Sequence, residues 1–88
     1  MSVYRFPACK RVPVTRLDKT LQWEKIAEEA TETFAALNTG EGERREVEEC
    51  WDVIHACETF LRAYPTALVE EVRAEVEAKN RERGYYDA

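Results

Sequence analysis

Downstream of Asp18 the apolar residues Trp23, Ile26, Ala30, Phe34 and Leu37 recur at intervals of three, four, four and three, the period of one face of an α-helix. Asp18 stands where an N-cap acceptor belongs, and Asn38-Thr39-Gly40 supplies a stop. A second helix is predicted from about Glu43 to Arg62, with Val47, Cys50, Trp51, Val53, Ile54, Cys57, Phe60 and Leu61 covering roughly half of its circumference. So wide an apolar arc predicts a central helix. Pro65 fits the first turn of a third helix, and Leu68, Val72 and Val76, with Ala67, Ala74 and Ala78, carry it to about Arg81 before Gly84. Residues 1–17 contain Pro7 and Pro13 among Val3, Val12, Val14 and Thr15, which predicts an extended arm or short strand. The connectors at Gly40 and Pro65 are short, so consecutive helices are expected to lie antiparallel. The predicted fold is all-α: an extended N-terminal arm over 1–17, then a small antiparallel bundle of about three main helices over 18–88, with no internal repeat and no domain-dividing linker.

Size bears on how complete that bundle can be. A chain of 88 residues, 44% hydrophobic and 35% charged, has material for one core but is near the size at which only about two thirds of the surface is buried, so self-association would help it. The net charge of −5 and a pI near 4.9 argue against a nucleic-acid polymer or an acidic membrane as partner, because both are gripped by clustered cations. No apolar run approaches the roughly 18 residues of a membrane span, and Arg5, Lys10 and Arg11 interrupt any signal-peptide core. A soluble, cytoplasmic protein is expected. Cys9, Cys50 and Cys57 form an odd set without a Cys-x-x-Cys pair, which suits a reducing compartment and gives no zinc site. Cys50 and Cys57 read as small buried thiols.

The charge is unevenly placed. Residues 1–20 hold five bases and one acid, whereas residues 21–62 hold eleven acids and four bases. Within that acidic stretch Glu29/Glu32 and Glu49/Asp52 are each three apart, which sets each pair on one helical face about a turn apart. Glu29 and Glu32 lie eleven and eight residues before Gly40, and Glu49 and Asp52 lie nine and twelve after it. At about 1.5 Å per residue, an antiparallel hairpin brings the two pairs to matching heights. Four carboxylates so placed suit a hard divalent cation, Mg²⁺ or Mn²⁺. Acids also fill the solvated faces of most helices, so spacing alone leaves both readings open.

The run EEATE (Glu28 to Glu32), sixteen intervening residues and then ECWD (Glu49 to Asp52) resembles the E-E-x-x-E … E-x-x-D signature of the MazG-like, all-α nucleoside triphosphate pyrophosphohydrolases. The likeness spans about Leu21 to Tyr86, since the tail from Lys79 to Tyr86 is similar to the Lys/Asn/Arg-bearing segment of small phage-type members; the N-terminal arm matches nothing in that pattern. The resemblance implies Mg²⁺-dependent hydrolysis of a nucleoside triphosphate to the monophosphate and pyrophosphate. By position it makes Glu29, Glu32, Glu49 and Asp52 metal ligands, places Glu28, Glu29 and Glu49 in the catalytic set, and gives Glu28 the role of orienting or deprotonating the attacking water. It further implies a homodimer or homotetramer whose sites combine residues of more than one chain. No protein nucleophile is needed, in keeping with a chain whose sole serine is Ser2 and sole histidine His55.

An acidic protein that takes a polyanion is helped by cations, and Lys79 and Arg83, with Asn80, are candidates to hold phosphates or sugar. A basic last turn also complements a helix dipole, which leaves a structural role open. Trp23, Tyr85 and Tyr86 are candidates to stack on a base, or else core or interface residues. His55, one turn beyond Asp52, is either near the site or a bystander. Glu58 points into the apolar arc of the second helix and needs a partner; an arginine of another helix or of a second subunit is expected. The alternative to an enzyme is a non-catalytic acidic helical module that binds a protein partner or senses nucleotide.

Overall fold

The computed structural model describes residues 3–10 and 18–87. Three helices follow in order: α1 (Lys19–Thr39), α2 (Glu43–Leu61) and α3 (Thr66–Glu82). No strand occurs among the described residues, so the chain is all-α there. Among the described residues, no helix is long and apolar enough to cross a membrane. Of the predicted arm, residues 1–2 and 11–17 lie outside the described residues, and residues 3–10 form neither helix nor strand.

The helix ends follow local chemistry. Asp18 caps α1, its carboxylate accepting from the backbone N–H groups of Thr20 and Leu21 at 2.9 and 3.1 Å. Gly40 closes the same helix at φ 65°, with its N–H donating to the Ala36 carbonyl; a β-carbon is costly in that left-handed conformation, so glycine is the residue that fits. Pro65 stands one position earlier than predicted, as the N-cap of α3 with ψ 137° rather than inside the first turn. The turn forms below it because its carbonyl accepts from both Leu68 and Val69.

α1 and α2 pack as an antiparallel hairpin, as the pairs Thr33 with Glu49, Gln22 with Ala56 and Trp23 with Phe60 show. Ile26 and Ala36 of α1 and Ala56 of α2 are buried. Gln22 donates to the Ala56 carbonyl at 2.8 Å, tying the open end of the hairpin. Residues 3–10 lie along another side of α2, where Phe6 stacks on His55 with ring centroids 4.6 Å apart and meets Trp51 edge-on at 5.7 Å. Arg62 donates to the Phe6 carbonyl at 2.7 Å and lies over the Tyr4 ring.

Of the expected three-helix antiparallel bundle, the α1–α2 hairpin is the packed part, and α3 touches it only slightly. Val69 is its single buried residue, while Leu68, Val72 and Val76 are each more than two fifths exposed. α2 is consequently less central than its apolar arc predicts: Trp51, Val47 and Leu61 stay exposed, and its buried residues are Ala56 and two glutamates, Glu49 and Glu58. Cys50, expected to be buried, is exposed, and Cys57 is half-buried. The partial cover over Cys57 is enough to push its thiol pKa up.

Candidate metal centre

Register assembles the candidate site. Because the hairpin pairs the middle of α1 with the first half of α2, Glu29 and Glu32 come across to Glu49, and one carboxylate oxygen from each lies within 4.8 Å of the others. Thr33 helps to fix this register: its hydroxyl donates to the Glu29 carbonyl at 2.8 Å and lies 3.2 Å from that of Glu49. Asp52 is not a member of the group. It is exposed one turn further along α2, beside a depression shared with Arg5, Phe6, Glu48 and Trp51. Glu28 is also exposed and outside the three, but its charge reaches Glu32.

Glu49 is the unusual member. Only 1% of it is accessible, and a carboxylate taken that far from water is costly unless both oxygens have partners. Oε1 forms an ion pair with Arg45 Nη2 at 2.5 Å, whereas Oε2 is buried and has no hydrogen-bond donor among the described residues. Across the hairpin, Glu29 pairs with Lys25 at 2.8 Å. Arg45 is shared, since it also approaches Glu48 at 3.3 Å and Glu41 at 3.9 Å. Among the described residues, Glu32 has no cation in contact. The Glu29 charge foremost, then loss of solvent and the charges of Glu49 and Glu28, hold the Glu32 carboxyl above its ordinary value, with Lys25 opposing them. Hydrogen bonding and charge from the acids in turn raise Lys25, chiefly through Glu29, and Arg45, chiefly through Glu48 and Glu49.

Three convergent carboxylates, one with a buried oxygen lacking any donor, are the donor type and spacing that a hard divalent cation takes. Lys25 and Arg45 were not singled out from the sequence, although a signal was present: each stands four residues before an inner acid, Lys25 before Glu29 and Arg45 before Glu49.

The candidate substrate residues are elsewhere. Trp23 packs on Phe60 with centroids 5.1 Å apart, towards the open end of the hairpin. Lys79, Asn80, Arg83 and Tyr86 are at the end of α3, where Arg81 lies over the Tyr86 ring. Among the described residues, no contact joins them to the acids. His55 is occupied by Phe6 stacking and by the Cys9 thiol, 3.7 Å from its Nε2.

Glu58 finds a partner different from the arginine expected. Its carboxylate accepts the Arg5 N–H at 3.0 and 2.8 Å on its two oxygens and the Phe6 N–H at 2.9 Å. Backbone amides thus satisfy the buried acid and fasten the N-terminal segment to α2. A scan against protein-family models and searches of curated proteins and of solved structures return no match.

Proposed function

We propose that this chain is a divalent-cation-dependent nucleoside triphosphate pyrophosphohydrolase of MazG-like type, releasing pyrophosphate and a nucleoside monophosphate. The observation that carries the reading is the convergence of Glu29, Glu32 and Glu49, one of which, the buried Glu49, has an oxygen without a donor among the described residues. The signature spacing of EEATE and ECWD supports it independently. A bound Mg²⁺ or Mn²⁺ would offset charge on the triphosphate and make bound water more acidic.

Within this reading the chain's own residues divide the work. Glu29, Glu32 and Glu49 hold the cation, and Asp52 borders the site one turn along α2. Glu28, exposed on α1, accepts a proton from the water that cleaves the α–β phosphoanhydride. The oxygen of that water bonds to the α-phosphorus, and the leaving pyrophosphate takes the bridging oxygen.

The reading includes a second copy of the chain. The acids lie on an open hairpin that does not enclose a nucleotide, and among the described residues Lys79, Asn80, Arg83 and Tyr86 make no contact with them. The stripe Leu68, Val72 and Val76 borders an apolar groove of about 410 Å³ with Val3, Tyr4, Leu61 and Tyr64. Pairing through this stripe would cover the groove and supply a wall for the site.

Incubation with a panel of NTPs and dNTPs plus Mg²⁺, with detection of released pyrophosphate, tests the activity. Release from at least one substrate is expected; silence across the panel by a protein that binds the cation overturns the enzymatic reading. That outcome would leave the nucleotide-sensing alternative.

A further inference from the structure

We propose that Lys25 and Arg45 are exchangeable counter-ions of the acidic site: they neutralise Glu29 and Glu49 while no divalent cation is bound, and turn to the substrate's phosphates when one is. The inference rests on the cation site proposed above and names the groups that control its loading and its contact with polyphosphate.

The geometry is symmetrical about the site. Each cation lies four residues before its acid, at 2.8 Å for Lys25 and 2.5 Å for Arg45. The helices are antiparallel, so "four residues before" points in opposite directions along the hairpin. Lys25 therefore approaches the carboxylates from the open end and Arg45 from the Gly40 end, each with its backbone about 6 Å from that of its acid along the helix axis. A linear anion laid across the three carboxylates would meet a cation at either end.

Helix stability alone is a weak reason for these pairs. The basic residue comes first in both, the less favourable order for an i, i+4 pair on a helix. The Lys25 and Arg45 side chains are 52% and 44% exposed, and pairs with that access to water are worth little and break easily. Two cations also serve three carboxylates incompletely: among the described residues Glu32 has none in contact and Glu49 Oε2 has no donor. The arrangement holds the acids together yet leaves an oxygen ready to accept a stronger cation. Once Glu29 and Glu49 are neutralised otherwise, both long side chains keep their charge and their reach, and phosphate is the natural partner for each.

The test titrates Mn²⁺ alone, without nucleotide, into the full-length wild type, Lys25→Gln and Arg45→Gln at low ionic strength, following free Mn²⁺ by electron paramagnetic resonance. Removing a neighbouring positive charge should tighten Mn²⁺ binding about tenfold in each variant, while Lys25→Arg and Arg45→Lys stay near wild type. With Mn²⁺ saturating, both Gln variants should bind a non-hydrolysable dNTP analogue more weakly. Unchanged or weaker Mn²⁺ binding in variants of intact helicity overturns the counter-ion role, and unchanged analogue binding overturns the phosphate role. A wild type that binds no Mn²⁺ overturns the cation site together with this inference, so the two failures are distinct. Lys25 and Arg45 are on different helices, so loss of fold in one variant leaves the other as the test.

Discussion

Glu32 reports the electrostatics of the acidic cluster. Its carboxyl is held above the ordinary value near 4.5, mainly by the Glu29 charge. The folded chain therefore binds that proton more tightly than the unfolded chain does, and the associated stability is present at low pH and lost as pH rises through the folded value. In chelator-treated protein the melting temperature should fall across the range upward from about pH 4.5 more steeply for wild type than for Glu32→Gln. Parallel profiles would show that the three carboxylates are not close. The convergence of Glu29, Glu32 and Glu49 was legible in the sequence because helical rise converts spacing from Gly40 directly into height. The separation of Asp52 was not. Height says nothing of azimuth, and one turn along α2 carries Asp52 away from α1 towards the depression lined by Arg5 and Trp51. The partner of Glu58 was also out of reach, because an amide N–H leaves no trace in a pattern of side-chain types.

The elements themselves were readable wherever local chemistry decides. Asp18, Gly40 and the apolar periods mark the three helices to within a residue or two. What periodicity does not give is which apolar arc finds a neighbour: α2 presents a wide arc, yet buries two glutamates while Trp51 remains 45% exposed. The segment of residues 3–10 explains part of this, since it lies along α2 through Glu58, Arg62, His55 and Trp51. One carboxylate that takes two backbone amides, that of Glu58, contributes to its attachment. Replacing Glu58 by Ala should cost about 1–3 kcal/mol in urea denaturation, the range for leaving buried donors unpaired. Trypsin should also cut after Arg5 and Lys10 faster than in wild type. Unaltered stability and cleavage would mean that the aromatic contacts and Arg62 hold the segment without Glu58.

The whole molecule is more open than its mass requires. It exposes 7110 Å², against about 5,300 Å² for a compact monomer of this size. Its radius of gyration is 15.1 Å, against about 12 Å for a compact chain. The excess area exceeds the roughly 800 Å² per partner of a standard interface, and α3 carries the apolar stripe such an interface would use. Light scattering should give at least twice the 10.2 kDa chain mass, and Val72→Glu should lower it; a wild-type monomer at micromolar concentration would contradict the pairing. Everything proposed for function depends on Glu29, Glu32 and Glu49 holding one divalent cation, and thermal unfolding in Mn²⁺ measures that directly. A cation at about one hundred times its Kd adds about 2.7 kcal/mol to the folded state, equivalent to a rise on the order of 10 °C for a chain of this size. The account predicts that rise for wild type and its loss in Glu49→Gln; no rise in wild type, or an equal rise in Glu49→Gln, would contradict it.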